Sequence, residues 1–365
     1  MARSVYLDFN ATTPLEPRVL QVDDPEAELV FLSGGTESIN FAIKGSALAA
    51  RRATGRNHII TTSVEHVAVL ETCKALEAQG FSVSYLPVDQ YGRVHVQDVL
   101  AAVTPQTCLV SVMLANNEVG TLQPVAEIAQ ALQRHVADSA ELRHPVLVHT
   151  DASQAIGKVP VSVRDLGVDL LTVAGHKLYA PKGIGALYIR SGTPEPDTLI
   201  HGAAHEHGRR AGTENVAYDV ALGEACALVS EHLHEYRVVM QEARNFLLEN
   251  LLKLCSLSNI SYRVNGHPEL LLPNTLSISF ADVSAIRLLD LIEAEGIYAS
   301  AGSACHSHAD ANDPNAVKVS HVLSAMRVPP EFARGTLRLS VGRATTQEEL
   351  LYAATAIHKA IHQLL

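Results

Sequence analysis

The chain has 365 residues, 47% of them hydrophobic, enough to bury one large core and a smaller one beside it. Its 28 basic and 39 acidic residues give a formal charge of −11, and the absence of a Lys/Arg-rich block argues against nucleic-acid or anionic-membrane partners. Five scattered cysteines, Cys73, Cys108, Cys226, Cys255 and Cys305, lack paired spacing, which points to free thiols in a reducing compartment rather than a disulfide frame.

No apolar run approaches the ~20 residues that span a bilayer. MARSVYLDFN passes almost at once into strand-like sequence, so no targeting peptide is expected. A cytoplasmic protein is expected. From residue 29 onward, short β-branched runs alternate with amphipathic stretches. ELVFLSGG is a strand entering a glycine turn, and TESINFAIKGSALAARR is the helix after it. NHIITTSV is a strand followed by the helix AVLETCKALEAQG, which a glycine closes. FSVSYLPV, CLVSVMLA, VLVHTDAS, VDLLTVAG and IGALYI continue the strands. Continuous apolar strands alternating with helices predict a mostly parallel sheet covered on both faces. Residues 214 to 254 read as one long helix, and then the pattern changes. NTLSISF, SAIRLLDLIEAEG, IYASAGSAC and TLRLSVG suggest a smaller α+β domain. The expected division is a large domain over 14–235, with 1–13 and 236–365 forming the small one.

In an open α/β sheet, ligands collect beyond the carboxyl ends of the strands. SGGTES (33–38) sits there, opening a helix whose N–H groups and Thr36 suit a phosphate. His66, Asn116, Asn117, Glu118, Asp151 and Gln154 each follow a strand as well. So do His176 and Lys177, in the hinge of VDLLTVAGHKLYAPKGIGALYI. Each has a bland alternative. A glycine turn often only starts a helix, a strand-terminal Asp often only caps one, and a lone turn lysine is usually solvated. Together they meet one specific need. Pyridoxal 5'-phosphate (PLP) requires an anion site, a Schiff-base lysine, a carboxylate against its ring nitrogen and a ring stacked on its face.

The motifs YLDFNATTPLEP, SGGTESIN, SVEH, MLANNEVGTLQPV, VHTDASQAIGK, AGHKLYAPKGIGALYIR, GRRAGTENV, LPNTLSIS, SAGSACHS and RGTLRLSVGR occur in this order over nearly the whole chain. With them the sequence resembles the cysteine desulfurase and selenocysteine lyase family, PLP enzymes of aminotransferase class V. The resemblance implies fold type I: a mostly parallel seven-stranded sheet in a large domain and a smaller α+β domain. Position by position, it implies Lys177 as the Schiff-base lysine, Asp151 at the pyridinium nitrogen and His66 on the ring face. Asn117 and Gln154 would bond the phenolic oxygen side. Gly35, Thr36 and His176 would hold the phosphate, with Thr213 reaching in from the second subunit of a homodimer. Asn10 and Arg338 would clamp the substrate carboxylate, and Cys305 would accept the sulfur.

The implied reaction takes sulfur from L-cysteine, leaving L-alanine and a persulfide for an acceptor protein. The alternative is release of selenium from L-selenocysteine, and a remoter one is a C–S lyase or aminotransferase. CHS and MLANNE lean towards the lyases, GRRAGTENV towards the desulfurases. Three departures from the family pattern stand out. Ala174 replaces a common serine two residues before His176, and GAAHE (202–206) replaces GGGQE. A further segment that family members carry between PLEPRVL and VFLSGGTES, with an Asn-Pro-Ser-Ser stretch, is missing. The histidines of HGAAHEH (201–207) and CHSH (305–308) resemble metal ligands, but no metal is expected. His306 and His308 suit tuning of the Cys305 thiolate or a solvated loop.

Overall fold

The computed structural model describes residues 5–8, 28–302 and 319–365. Asn10, Cys305, His306 and His308 therefore lie outside the described residues. The first described strand is β1 (Val5–Tyr6), and the large sheet starts with β2 (Leu29–Leu32). Helix α1 (Gly35–Asn40) runs through a π-helical stretch (Phe41–Gly45) into α2 (Ser46–Thr54). Then come β3 (His58–Thr62), α3 (Val67–Glu77), β4 (Ser82–Leu86), α4 (Val96–Ala102), β5 (Thr107–Ser111) and α5 (Val125–Asp138). The large sheet is completed by β6 (Leu147–Asp151), a short α6 (Val163–Leu166), β7 (Leu170–Ala174) and β8 (Gly185–Ile189).

The seven strands lie in the order β2-β8-β7-β6-β5-β3-β4, and only β8 runs against its neighbours. A parallel return needs a crossover of a dozen or more residues. The connection from β7 to β8 carries only a 3₁₀ turn (Gly175–Lys177) and a short loop, so β8 comes back antiparallel.

The continuous apolar strands follow from two covered faces. Ile59, Leu109, Leu147 and Leu170 join the core under α1–α3, while Ile60, Val110, Val148 and Leu171 join the core under α4 and α5. Successive strand residues point to opposite faces, so both members of each pair must be apolar.

The long helix α7 (Val216–Leu257) follows, two residues later at its start and three at its end than the sequence pattern suggests. Beyond it, β9 (Tyr262–Asn265), β10 (Thr275–Phe280) and β12 (Thr336–Ser340) form an antiparallel sheet ordered β12-β10-β9. Between them lie α8 (Ala285–Ala294), β11 (Ile297–Tyr298), α9 (His321–Ala325) and α10 (Pro330–Ala333). The chain closes with α11 (Gln347–Leu364), started by a capping box in which Thr346 and Glu349 satisfy each other's backbone N–H. Strand β1 pairs with β11, and Val5 and Leu7 share a core with Leu247, Ile278, Leu339 and Ile357. Helix α7 serves both regions: Leu222, Ala225 and Cys226 join the core over the large sheet, whereas Met240, Ala243, Leu247 and Leu251 join the second. Among the described residues, no helix is long and apolar enough to cross a membrane.

Candidate active site

The site is built at the carboxyl edge of the large sheet. Strand β2 delivers Gly35, β3 delivers His66, β5 delivers Asn117, β6 ends on Asp151, and β7 delivers His176 and Lys177. The hinge opened by Gly175 is sterically specified. A Cβ there would stand 2.8 Å from the Ile184 carbonyl oxygen, to which the Gly175 N–H donates at 3.1 Å. Only glycine lets the turn lie that close to the start of β8. Gly35 makes a similar cradle, since an added Cβ would meet Ala174 Cβ at 3.1 Å and Ser153 Oγ at 3.3 Å.

Asp151 is buried, and its Oδ1 accepts the Ser153 N–H at 2.9 Å, which leaves the second oxygen for another donor. His66 is half-buried and caps α3; its Nδ1 accepts the Ala68 N–H at 3.2 Å, so a neutral ring carries its hydrogen on Nε2. Asn117 and Gln154 are both buried. His176 is half-buried. Burial, then the nearby Lys177, Lys182, Lys158 and His66, push its pKa down to about 4, so the ring is neutral at physiological pH.

Arg338 reaches the same edge from β12. Its side chain is only 2% exposed; Nη2 pairs with Asp8 Oδ1 at 2.6 Å, and Nη1 donates to the Asn117 carbonyl at 2.9 Å. Asp8 Oδ2 accepts the Ser300 hydroxyl at 2.7 Å. Two of the guanidinium's edges are thus held by the protein, while Nε is buried with no hydrogen-bond partner among the described residues.

The structure brings Gly35, His66, Asn117, Asp151, Gln154, His176, Lys177 and Arg338 to one edge. Thr36 is exposed at the mouth of the glycine turn. Thr213 is also exposed, on the segment before α7. That segment is tied to the glycine turn by the Arg210–Glu37 ion pair at 3.1 Å, and Glu37 also accepts the Ser33 N–H at 2.7 Å. Burial favours the neutral Glu37 carboxyl, but the bonds from Ser33 and Arg210 outweigh it and hold its pKa below the usual value.

Several residues of the site were not singled out from the sequence. Asp8 is one. Another is Glu65, fully buried, whose pKa burial raises to about 8; its oxygens accept the Thr62 hydroxyl and the Met113 N–H, and Asp151 adds repulsion. His149 also lies outside the expected set. Its ring bridges Ser111 Oγ at 2.8 Å and Thr172 Oγ1 at 3.0 Å, and burial lowers its pKa to about 4. Two residues ahead of Asp151 on the same strand, it shares that residue's face, a spacing that was visible in VHTDAS. Cys73, Cys108, Cys226 and Cys255 are free thiols, as their unpaired spacing suggests, and all four are buried.

The aminotransferase class-V family model matches residues 18–352. The chain belongs to this family. Among its class-V relatives, a protein named cysteine desulfurase IscS from Methanosarcina thermophila is 44% identical, the alignment covering 99% of this chain and 93% of the relative. A cysteine desulfurase of Mus musculus is 36% identical over 99% of this chain and 82% of its own length. The 399 positions aligned with the archaeal relative exceed the 365 residues of this chain, in keeping with the missing segment. A solved structure titled NifS-like protein superposes with a TM-score of 0.85 at 34% identity, each chain fully covered. A second, titled SspA in complex with cysteine, gives 0.73 at 30% identity, covering 94% of this chain and all of the other.

Class-V enzymes of the desulfurase type carry PLP, and the residues here fit that group. The Gly35 cradle leaves room where a Cβ would intrude. Beside it stand one lysine amine, one buried carboxylate, a half-buried imidazole and two buried amides. That donor set matches a phosphate, a carbonyl carbon, a ring nitrogen, a ring face and a phenolic oxygen.

Proposed function

We propose that the protein is a PLP-dependent cysteine desulfurase, taking sulfur from L-cysteine to leave L-alanine, with the sulfur held on Cys305 as a persulfide for an acceptor protein. The observation that carries this reading is the meeting of Lys177, Asp151 and the Gly35 cradle at one sheet edge. When bound, PLP withdraws electrons from the substrate carbon. Lys177 is the residue to hold the cofactor and then take the Cα proton on Nζ. Asp151, a buried carboxyl, would hold the ring nitrogen and favour a proton on it. His66 supplies the ring-facing surface, and Asn117 and Gln154 orient the oxygen side. Gly35, Thr36 and His176 take the phosphate, His176 as a neutral donor. Arg338, joined by Asn10, receives the substrate carboxylate, which must share the guanidinium with Asp8. Cys305 would attack the substrate sulfur as a thiolate: the new S–S bond forms as the Cβ–S bond breaks. The bonding pair leaves with the carbon fragment, and Cβ takes up a proton to become the methyl group of alanine.

We also assign a homodimer in which Thr213 completes the phosphate site of the partner. Its support is apolar surface at the start of α7, where Val216 and Val220 are 65% and 66% exposed one helical turn apart. The division of the chain near residue 235 has its support in the two cores that α7 serves.

The test uses Lys177→Ala and Cys305→Ala, supplied in turn with cysteine and selenocysteine. Lys177→Ala is expected to lack a borohydride-reducible link to PLP and to form no alanine from either substrate. Cys305→Ala is expected to form none from cysteine, retain some with selenocysteine, and lose the sulfur adduct on the Cys305 peptide. Wild-type protein that turns over cysteine without that adduct would refute the desulfurase reading. A wild type active only on selenocysteine would make it a lyase.

A further inference from the structure

Lys158 is a buried cation that the reaction as described does not use. It is 4% exposed, in the turn that follows Asp151. A lysine is almost never this buried unless something holds its head group. Here the holders are two main-chain carbonyls: Nζ donates to Gln154 O at 3.1 Å and to Lys177 O at 3.3 Å. The first belongs to its own turn. The second belongs to the hinge after β7, nineteen residues on.

We propose that Lys158 is a positioning residue for Lys177: its ammonium group pins the Lys177 turn to the Asp151–Gln154 turn and keeps a second positive charge beside the cofactor lysine. The two turns come from adjacent strands and hold opposite ends of the cofactor's chemistry, the ring-nitrogen carboxylate on β6 and the amine after β7. Neither β6 nor β7 pairs at Gln154 or Lys177, so the sheet ladder does not fix their relative height. The Lys158 bridge does, with one donor shared by both.

The titratable groups facing Lys158 come from two elements: Lys177 and the neutral His176 from the hinge, and Arg343 from the loop after β12. Arg343 stacks on Tyr179 at 3.7 Å and Tyr236 at 4.1 Å. The remaining wall, from α7 and the small sheet, is Val229, Met240, Asn274 and Val341, with no carboxylate among them. Burial, then Lys177 and Arg343, bring the Lys158 pKa down to about 7, so it is charged below neutral pH and partly charged at it. A cation so placed disfavours a proton on the Lys177 nitrogen. Removing it raises the pH at which that nitrogen loses its proton.

This inference rests on Lys177 being the cofactor lysine. The experiment is a pH titration of the visible absorbance of bound PLP in wild type, Lys158→Met and Lys158→Gln, with a thermal melt of each. Both variants are neutral, and Met preserves the length of the stem. The titration midpoint is expected to rise by at least about half a pH unit in both, and PLP is expected to dissociate at least about tenfold faster in the Met variant, which lacks the bridge. A purely structural lysine would lower the melting temperature and leave the midpoint in place. A folded variant with an unshifted midpoint overturns the proposal. So does failure of both variants to fold, which would assign Lys158 to the core alone. A wild type with no reducible PLP band fails the Lys177 reading instead, and does so before any Lys158 variant is made.

Discussion

Asp8→Asn tests the electrostatics of the substrate pocket at its most buried point. Arg338 is 2% exposed and Asp8 13%, and their closest atoms are 2.6 Å apart. At an effective dielectric near 20, two charges at that distance attract by roughly 6 kcal/mol before desolvation is counted. Asparagine keeps the shape, and its carbonyl still accepts one hydrogen bond, but the guanidinium is left without a counter-charge. Breaking a buried pair from one side costs about 3–5 kcal/mol. Because Asp8 keeps some exposure and Asn retains a bond, about 3 kcal/mol is expected. For a chain of this length that is a fall in melting temperature of about 4 °C. Urea unfolding followed by far-UV circular dichroism reads the difference directly. In the companion cycle, Asp8→Asn with Arg338→Met is expected to cost less than the two single changes summed, by about 2 kcal/mol. A loss below about 1 kcal/mol for Asp8→Asn, or strict additivity, would show that another group neutralises Arg338.

Other outcomes follow from the same geometry. Asp151→Asn is expected to keep PLP bound but slow alanine formation by ~10²-fold or more, the scale for losing one key electrostatic contact; unchanged turnover would remove Asp151 from the reaction. Stability is expected to fall in acid because His149 is held neutral: its pKa drops from 6.5 to about 4 on folding. Its contribution is complete above the unfolded value and is lost as pH falls from about 6.5 through 4, by at most about 1.4 kcal/mol per pH unit for one proton. His149→Gln should flatten that limb of a stability–pH curve. Glu65 acts on the other side: its pKa rises to about 8 on folding, so its contribution is complete below 4.5 and is lost as pH climbs through 8. Val220→Asp places a charge on the exposed apolar start of α7 and is expected to give a monomer by sedimentation, with turnover reduced; a persistent dimer would place the interface elsewhere.

Much of the candidate site was legible because Gly35, His66, Asn117, Asp151, Gln154, His176 and Lys177 stand at or just past the ends of strands whose apolar runs are easy to see. HIITT, TCLVS, LVHTD and LLTVA mark four of the carboxyl ends, and the chemistry follows within a few residues of each. What the sequence hid was long-range. TESINFAIKGSALAARR reads as one helix, yet the turn at Phe41–Gly45 widens to a π-helix where Gly45 packs against Pro196 and Asp197, residues distant in the chain. Strand β9 carries no legible pattern because Tyr262 and Val264 are more than a third exposed on a sheet edge, so no buried run announces it. Among the described residues of IYASAGSAC, the strand is the two-residue β11 paired with Val5 and Tyr6, with a single further bridge from Ser300 to Arg338. Lys158 and Asp8 look like ordinary surface charges in sequence, and only the packing of a second element over each makes them internal.

Helix α7 carries a mechanical consequence. Its 42 residues make a rod of about 63 Å. One end is embedded in the core over the large sheet and the other in the core that β10 and β12 help to build. Between Val229 and Met240 the rod contributes no buried side chain. The two cores are therefore joined by an elastic beam rather than a slack linker. Any change in their separation must bend the stretch between Val229 and Met240 and lengthen the hydrogen bonds on its outer side, so the span resists opening with a restoring force that a flexible loop would not provide.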